Sequence, residues 1–157
     1  MQTLLQKKSL TAKLVWGCSA IYASILFYLL REHLISGFDP GSYYLAIKYG
    51  FSLAATRPHP PGYPLFVMLW QGIVSILHTD PHSAILILNA FFLFLSIGCC
   101  YHFIQKIHGE RIAIITTLLL ACNPVVIYYS TVSEIYIYDV FFLMKNMTIP
   151  KFRDHRI

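Results

Sequence analysis

Three apolar stretches of the chain hold no Asp, Glu, Lys or Arg over a membrane's width: residues 14–30, residues 83–104 and residues 112–133. A helix of about 20 apolar residues crosses a hydrocarbon core about 30 Å thick, so each stretch predicts a crossing helix. Lys7, Lys8 and Lys13 precede the first. Its apolar region is 17 residues long, whereas that of a cleavable signal peptide is roughly 7–15 residues and ends at a small-residue cleavage site. The pattern therefore predicts an uncleaved helix with residues 1–13 in the cytoplasm. The third stretch contains Asn123-Pro124. Proline removes a backbone donor and clashes with the preceding turn, so a kink is expected near the far end of that span.

The apolar stretch 64–77 has only 14 residues, or about 21 Å of helix. Gln71, Ser75 and His78 recur along it at i, i+4 and i+7, giving one narrow polar stripe on an otherwise apolar helix. That pattern fits a helix lying in the membrane interface. With this helix not crossing, five basic residues of the core lie inside (Lys7, Lys8, Lys13, Lys106, Arg111) and three outside (Arg31, Lys48, Arg57). The excess agrees with the preference of cytoplasmic loops for Lys and Arg. The loop 31–63 and Glu134 then share the non-cytoplasmic side. Residues 135–144 begin a fourth apolar segment, and residues 145–157 form a polar tail with four basic residues.

Composition sharpens the class. The chain is 57% hydrophobic and 12% charged, about half the charge of a soluble domain, so the expected fold is an all-α, multi-span integral membrane protein. Its net charge is +5, but the basic residues sit between apolar runs instead of on one water-facing surface, which argues against a nucleic-acid partner. Cys18, Cys99, Cys100 and Cys122 all lie within apolar runs and are expected as buried thiols, without metal spacing or a disulfide framework.

Polar residues with chemical potential cluster in the outer loop and after the third span. Phe38-Asp39-Pro40-Gly41-Ser42-Tyr43-Tyr44 opens a helical pattern that continues to Phe51. Asp39 is as well placed to be a plain N-cap, with Pro40 at the first helical position, as to be an active acid. Arg57-Pro58-His59-Pro60-Pro61-Gly62-Tyr63-Pro64 follows. Its prolines hold the backbone extended, making either a stiff connector or a mount that fixes Arg57 and His59 where a lipid phosphate sits. The planar Arg fork suits phosphate, and His59 adds a donor or a titrating group. Carboxylates at membrane depth usually face a cavity or a partner. Of Glu134 and Asp139, Glu134 is closer to the third span; it is equally an interfacial acid in a tyrosine belt. His78-Thr79-Asp80-Pro81-His82 holds two imidazoles and a carboxylate, but Asp80-Pro81 before Ser83 is better explained as a turn and helix start.

The order of these elements resembles the C-fold membrane-embedded glycosyltransferases, closest to the protein O-mannosyltransferase and lipid A aminoarabinose transferase group. The likeness rests on Phe38-Asp39 with Tyr43-Tyr44 after the first span, the string His59-Pro60-Pro61-Gly62-Tyr63-Pro64-Leu65-Phe66, and Ser133-Glu134-Ile135-Tyr136 after the third span. It covers about residues 10–143. The resemblance implies a sugar donor carried on polyprenyl phosphate and an acceptor hydroxyl on the non-cytoplasmic face. Asp39 then matches the general base or orienting acid and Glu134 the second acid. Arg57, His59, Tyr43 and Tyr63 are the substrate-binding candidates. No cofactor or metal ligand is assigned, although a divalent metal is compatible. Members of the family have many more spans, so the expectation is an N-terminal fragment: residues 14–144 from the transferase domain and 145–157 outside it. Its membrane is the bacterial inner membrane or the endoplasmic reticulum. The rival expectation is a small non-catalytic membrane protein that contacts lipid or other membrane helices through small residues such as Gly98, Ala113 and Ala121.

Overall fold

The computed structural model describes residues 2–31, 38–55, 57 and 63–148. Those residues are helical apart from short connections and a single bridge between Ser52 and Arg57. In chain order the helices are α1 (Gln2–Leu30), α2 (Phe38–Tyr49), α3 (Pro64–Leu77), α4 (Pro81–His108), α5 (Glu110–Ala121), α6 (Pro124–Thr131) and α7 (Tyr136–Thr148), with a 3-10 turn at Leu53–Ala55. Two helices, Leu10–Leu30 of α1 and all of α4, are long and apolar enough to cross a membrane. A third crossing exists if α5 and α6, bent by 56°, form one span. The bend falls at Asn123-Pro124 as the sequence predicts. Asn123 caps α6 by accepting from the Val125 and Val126 amides, and Pro124 opens the helix.

α7 departs from the predicted fourth apolar segment. It starts one residue later and runs through Lys145 to Thr148, so the helix continues into the first four residues of the expected polar tail. Its 13 residues span about 20 Å, too short to cross.

α4 is the central post, with α1, α3, α5, α6 and α7 packed around it. Trp16 of α1 lies against its C-terminal half: the indole donates to the His102 Nε2 at 2.9 Å and meets Phe94 edge-on. Segment 132–134 lies against its N-terminal half through Asn89 and His82. These two anchors fix the direction of α1. Were α1 parallel to α4, the path from Leu30 back to the N-terminal half of α4 would be about 50 Å, while the seven residues linking α1 to α2 reach about 25 Å. The helices therefore run antiparallel, and α2 follows at the end of α4 that carries Glu134.

α3 stays at that same end. It packs between α2 and α4, and three residues after its last turn α4 begins. The polar stripe has a different use from the one its spacing implies. Gln71 is half-buried and its amide donates to the Ala46 and Ile47 carbonyls, both at 3.4 Å, tying α3 to the last turn of α2. Only Ser75 and His78 of the three are exposed.

The cysteines also depart from expectation. Cys100 is buried, but Cys18 and Cys122 are exposed, and both line an apolar cavity of about 270 Å³ between α1 and α5. The small residues named for helix contacts have neighbours within the chain. Ala113 is fully buried, the Ala121 carbonyl accepts from Tyr22 at 2.5 Å, and Gly98 lies under the Trp16 ring, which a β-carbon there would overlap.

Candidate functional site

α2 is a local product of its sequence. It begins at Phe38, one residue before the expected cap, so Asp39 sits inside the first turn, where the helix dipole favours a carboxylate. Ser42 closes that turn by donating to the Asp39 carbonyl at 2.8 Å. The helix ends at Tyr49, two residues earlier than the pattern predicts. There Gly50 takes a φ of 91° and its amide donates to Ala46 at 3.0 Å, a conformation that glycine adopts without the β-carbon penalty.

One turn after Asp39, Tyr43 is buried between two other rings. Trp70 lies 5.3 Å away and Tyr63 6.4 Å away by ring centroids, both edge-on. Tyr63 leads into α3 with a φ of 40°, and Pro64 follows at the first helical position. A left-handed non-glycine residue is costly by about 1–2 kcal/mol. The compensation is visible in its carbonyl, which accepts from the Phe66 and Val67 amides.

Glu134 is half-buried in the break between α6 and α7. That break is held by α4: the Asn89 amide donates to the Val132 carbonyl at 2.7 Å and to the Glu134 carbonyl at 3.0 Å, while the Ser133 hydroxyl pairs with His82 Nδ1 at 2.7 Å. Past the break, Tyr136 packs on Tyr129 with centroids 4.7 Å apart.

Electrostatics join the pieces. Burial, followed by the negative charge of Glu134 and then of Asp39, pushes the Tyr43 phenol up, so it keeps its proton and remains a donor throughout the physiological range. Tyr136, on the far side of the break, lies in the field of both Glu134 and Asp39, and of Tyr63. Asp39 and Glu134 come from distant parts of the chain, yet they act on the same two phenols. The structure thus brings together Asp39, Tyr43, Tyr63 and Glu134 of the predicted set.

Arg57 is held in a tight backbone ring with Ser52. The Ser52 amide donates to the Arg57 carbonyl at 2.7 Å, and the Arg57 amide donates back at 2.9 Å. Its Nε is buried with no hydrogen-bond partner. His59 lies outside the described residues. Among the described residues no group of three His, Cys, Asp or Glu is placed to hold a metal. Asp80 accepts from the Ser83 amide at 3.0 Å as N-cap of α4, with Pro81 next, which is the turn-and-helix-start expectation.

The sequence pointed to neither Asn89 nor Tyr136 as a site residue. Asn89 did carry a signal, being an amide side chain in the middle of a 22-residue apolar run, and a polar group there needs a partner. Comparison of the chain with family models, with curated proteins and with solved structures gives no match.

Proposed function

We propose that this chain carries the acid-bearing part of a membrane glycosyltransferase that moves a hexose or pentose from a polyprenyl-phosphate donor to an acceptor hydroxyl on the non-cytoplasmic face. The arrangement that supports the proposal is Asp39 in the first turn of α2, one turn before Tyr43 in its packing against Tyr63 and Trp70, with the Asp39 and Glu134 charges both raising the Tyr43 and Tyr136 phenols. A hydroxyl attacking an anomeric carbon needs a carboxylate positioned to take its proton, and Asp39 is assigned that task. Glu134 is assigned as the second acid, and Tyr43 and Tyr63 are assigned to substrate binding. The departing phosphate needs positive charge nearby, which is the role given to Arg57, with its unpartnered Nε, and to His59.

The test is transfer from a radiolabelled polyprenyl-phosphate hexose or pentose in membranes holding the full gene product. Asp39→Asn is expected to abolish transfer while membrane insertion stays unchanged, and Glu134→Gln to reduce it strongly. Wild-type turnover by Asp39→Asn removes the general base from the proposal. No transfer by the wild-type protein from any polyprenyl-phosphate sugar overturns the proposal itself.

A further inference from the structure

The break between α6 and α7 is short and irregular, yet it carries the acid on which half of the candidate site depends. Its conformation is dictated from outside. Asn89 is fully buried and its amide nitrogen reaches two carbonyls at once, Val132 at 2.7 Å and Glu134 at 3.0 Å. That double donation also settles which way the amide lies, because the opposite orientation would set its oxygen against both carbonyl oxygens. Between those two anchor points Ser133, also fully buried, meets His82 at 2.7 Å. His82 and Asn89 are seven residues apart on α4, two turns on one face. The break itself is pinched by the Glu134 amide donating to the Val132 carbonyl at 2.9 Å. All three residues of the segment are therefore fixed to one helix face.

We propose that Asn89 and His82 are positioning residues for Glu134: they hold segment 132–134, from which its carboxylate projects, against one face of α4. Their effect on catalysis rests on the transferase proposal above, but their effect on the carboxylate's surroundings does not. Two observations separate this from ordinary packing. The Asn89 contacts are made to the backbone of the acid-bearing segment and the His82 contact to a hydroxyl within it, not to apolar side chains. They also spend a buried amide inside an apolar helix, where leucine would pack at less electrostatic cost.

The test uses the full chain in detergent micelles or nanodiscs, labelled with glutamate carrying 13C at the side-chain carboxyl. Three signals arise, from Glu32, Glu110 and Glu134, and Glu134→Gln assigns one by its loss. Asn89→Leu removes both donations, and Ser133→Ala removes the His82 contact. Each is expected to move the Glu134 signal and its titration midpoint while Glu110 stays where it was. Ser133→Ala loses one hydroxyl and decides the matter if Asn89→Leu does not insert. An unmoved Glu134 signal in the folded variants overturns the proposal. In the transfer assay Asn89→Leu is expected to lower kcat roughly 100-fold, the effect of misplacing a reacting group by about 1 Å, with KM little changed. Should the signal move while the wild-type protein transfers no sugar, the positioning role stands and the transferase proposal falls.

Discussion

Trp70 donates its indole N–H to the Tyr138 hydroxyl at 3.0 Å, with both side chains sealed from solvent. The bond joins α3 to α7, two helices too short to cross a bilayer, inside a nest formed by Tyr43, Phe66 and Phe92. It holds α3 at the Glu134 end of the fold. Tyr138→Phe leaves the indole N–H buried without its acceptor, a loss of about 1–3 kcal/mol. Trp70→Phe is expected to cost more, since it removes ring volume as well. In a double-mutant cycle read by denaturant unfolding in micelles, the pair is expected to couple by about 1 kcal/mol. Additive losses would show that the two groups do not depend on each other.

Gly98 governs how closely α1 approaches α4. The Trp16 ring occupies the space a β-carbon would need, so the contact admits no side chain at position 98. Gly98→Ala forces the ring aside and is expected to destabilise the fold by about 1–3 kcal/mol. In a Trp16→Leu background the same substitution should cost much less. Equal costs in the two backgrounds, measured by thermal unfolding, would place the strain elsewhere.

The contrast between what was and was not legible beforehand follows the reach of each interaction. Asp80-Pro81 as a helix start and Asn123-Pro124 as a break are legible because both signals act within three residues; that Asn123 also caps α6 is seen only in the structure. The apolar lengths of α1, α4 and the broken α5–α6 pair were readable for the same reason: length and composition are properties of a contiguous segment. The partner of Gln71 is not legible, because a polar residue on an apolar helix has the same spacing whether it meets headgroups or the carbonyls of another helix. Asn89 and Trp70 have partners 43 and 68 positions away, and no periodicity encodes such pairings. Asp39 and Glu134 were nominated from motif order, but their common action on Tyr43 and Tyr136 needed the fold.

The antiparallel course of α1 and α4 makes a prediction about the two ends of the molecule. In a background with the four cysteines replaced by serine, His108→Cys and His78→Cys place single thiols at exposed positions beyond opposite ends of the bundle. A membrane-impermeant maleimide added from one side should label only one of them. With the N-terminus in the cytoplasm, His108→Cys is the one reached from that compartment, and His78→Cys is reached from the other. Labelling of both from the same side would mean that α4 does not cross.

Asp80 offers a test of the site end through pH. Burial works to raise its carboxyl, but hydrogen bonds from Ser83 and from the His82 amide, with the His82 charge, outweigh it and hold the group below its ordinary value of 3.8. A carboxyl depressed in the folded state contributes stability that is complete above its unfolded value and is lost as pH falls through the folded one. The cap at the start of α4 is therefore expected to hold at neutral pH and to weaken only below about pH 3.8. Asp80→Ala should cost about 1 kcal/mol at pH 7, the usual worth of such a cap, and the deficit should shrink toward zero in strong acid as the wild-type carboxyl also loses its charge. Unfolding midpoints of the two proteins across that range give the answer. A deficit that persists unchanged in acid would mean that Asp80 acts through packing and not through its charge.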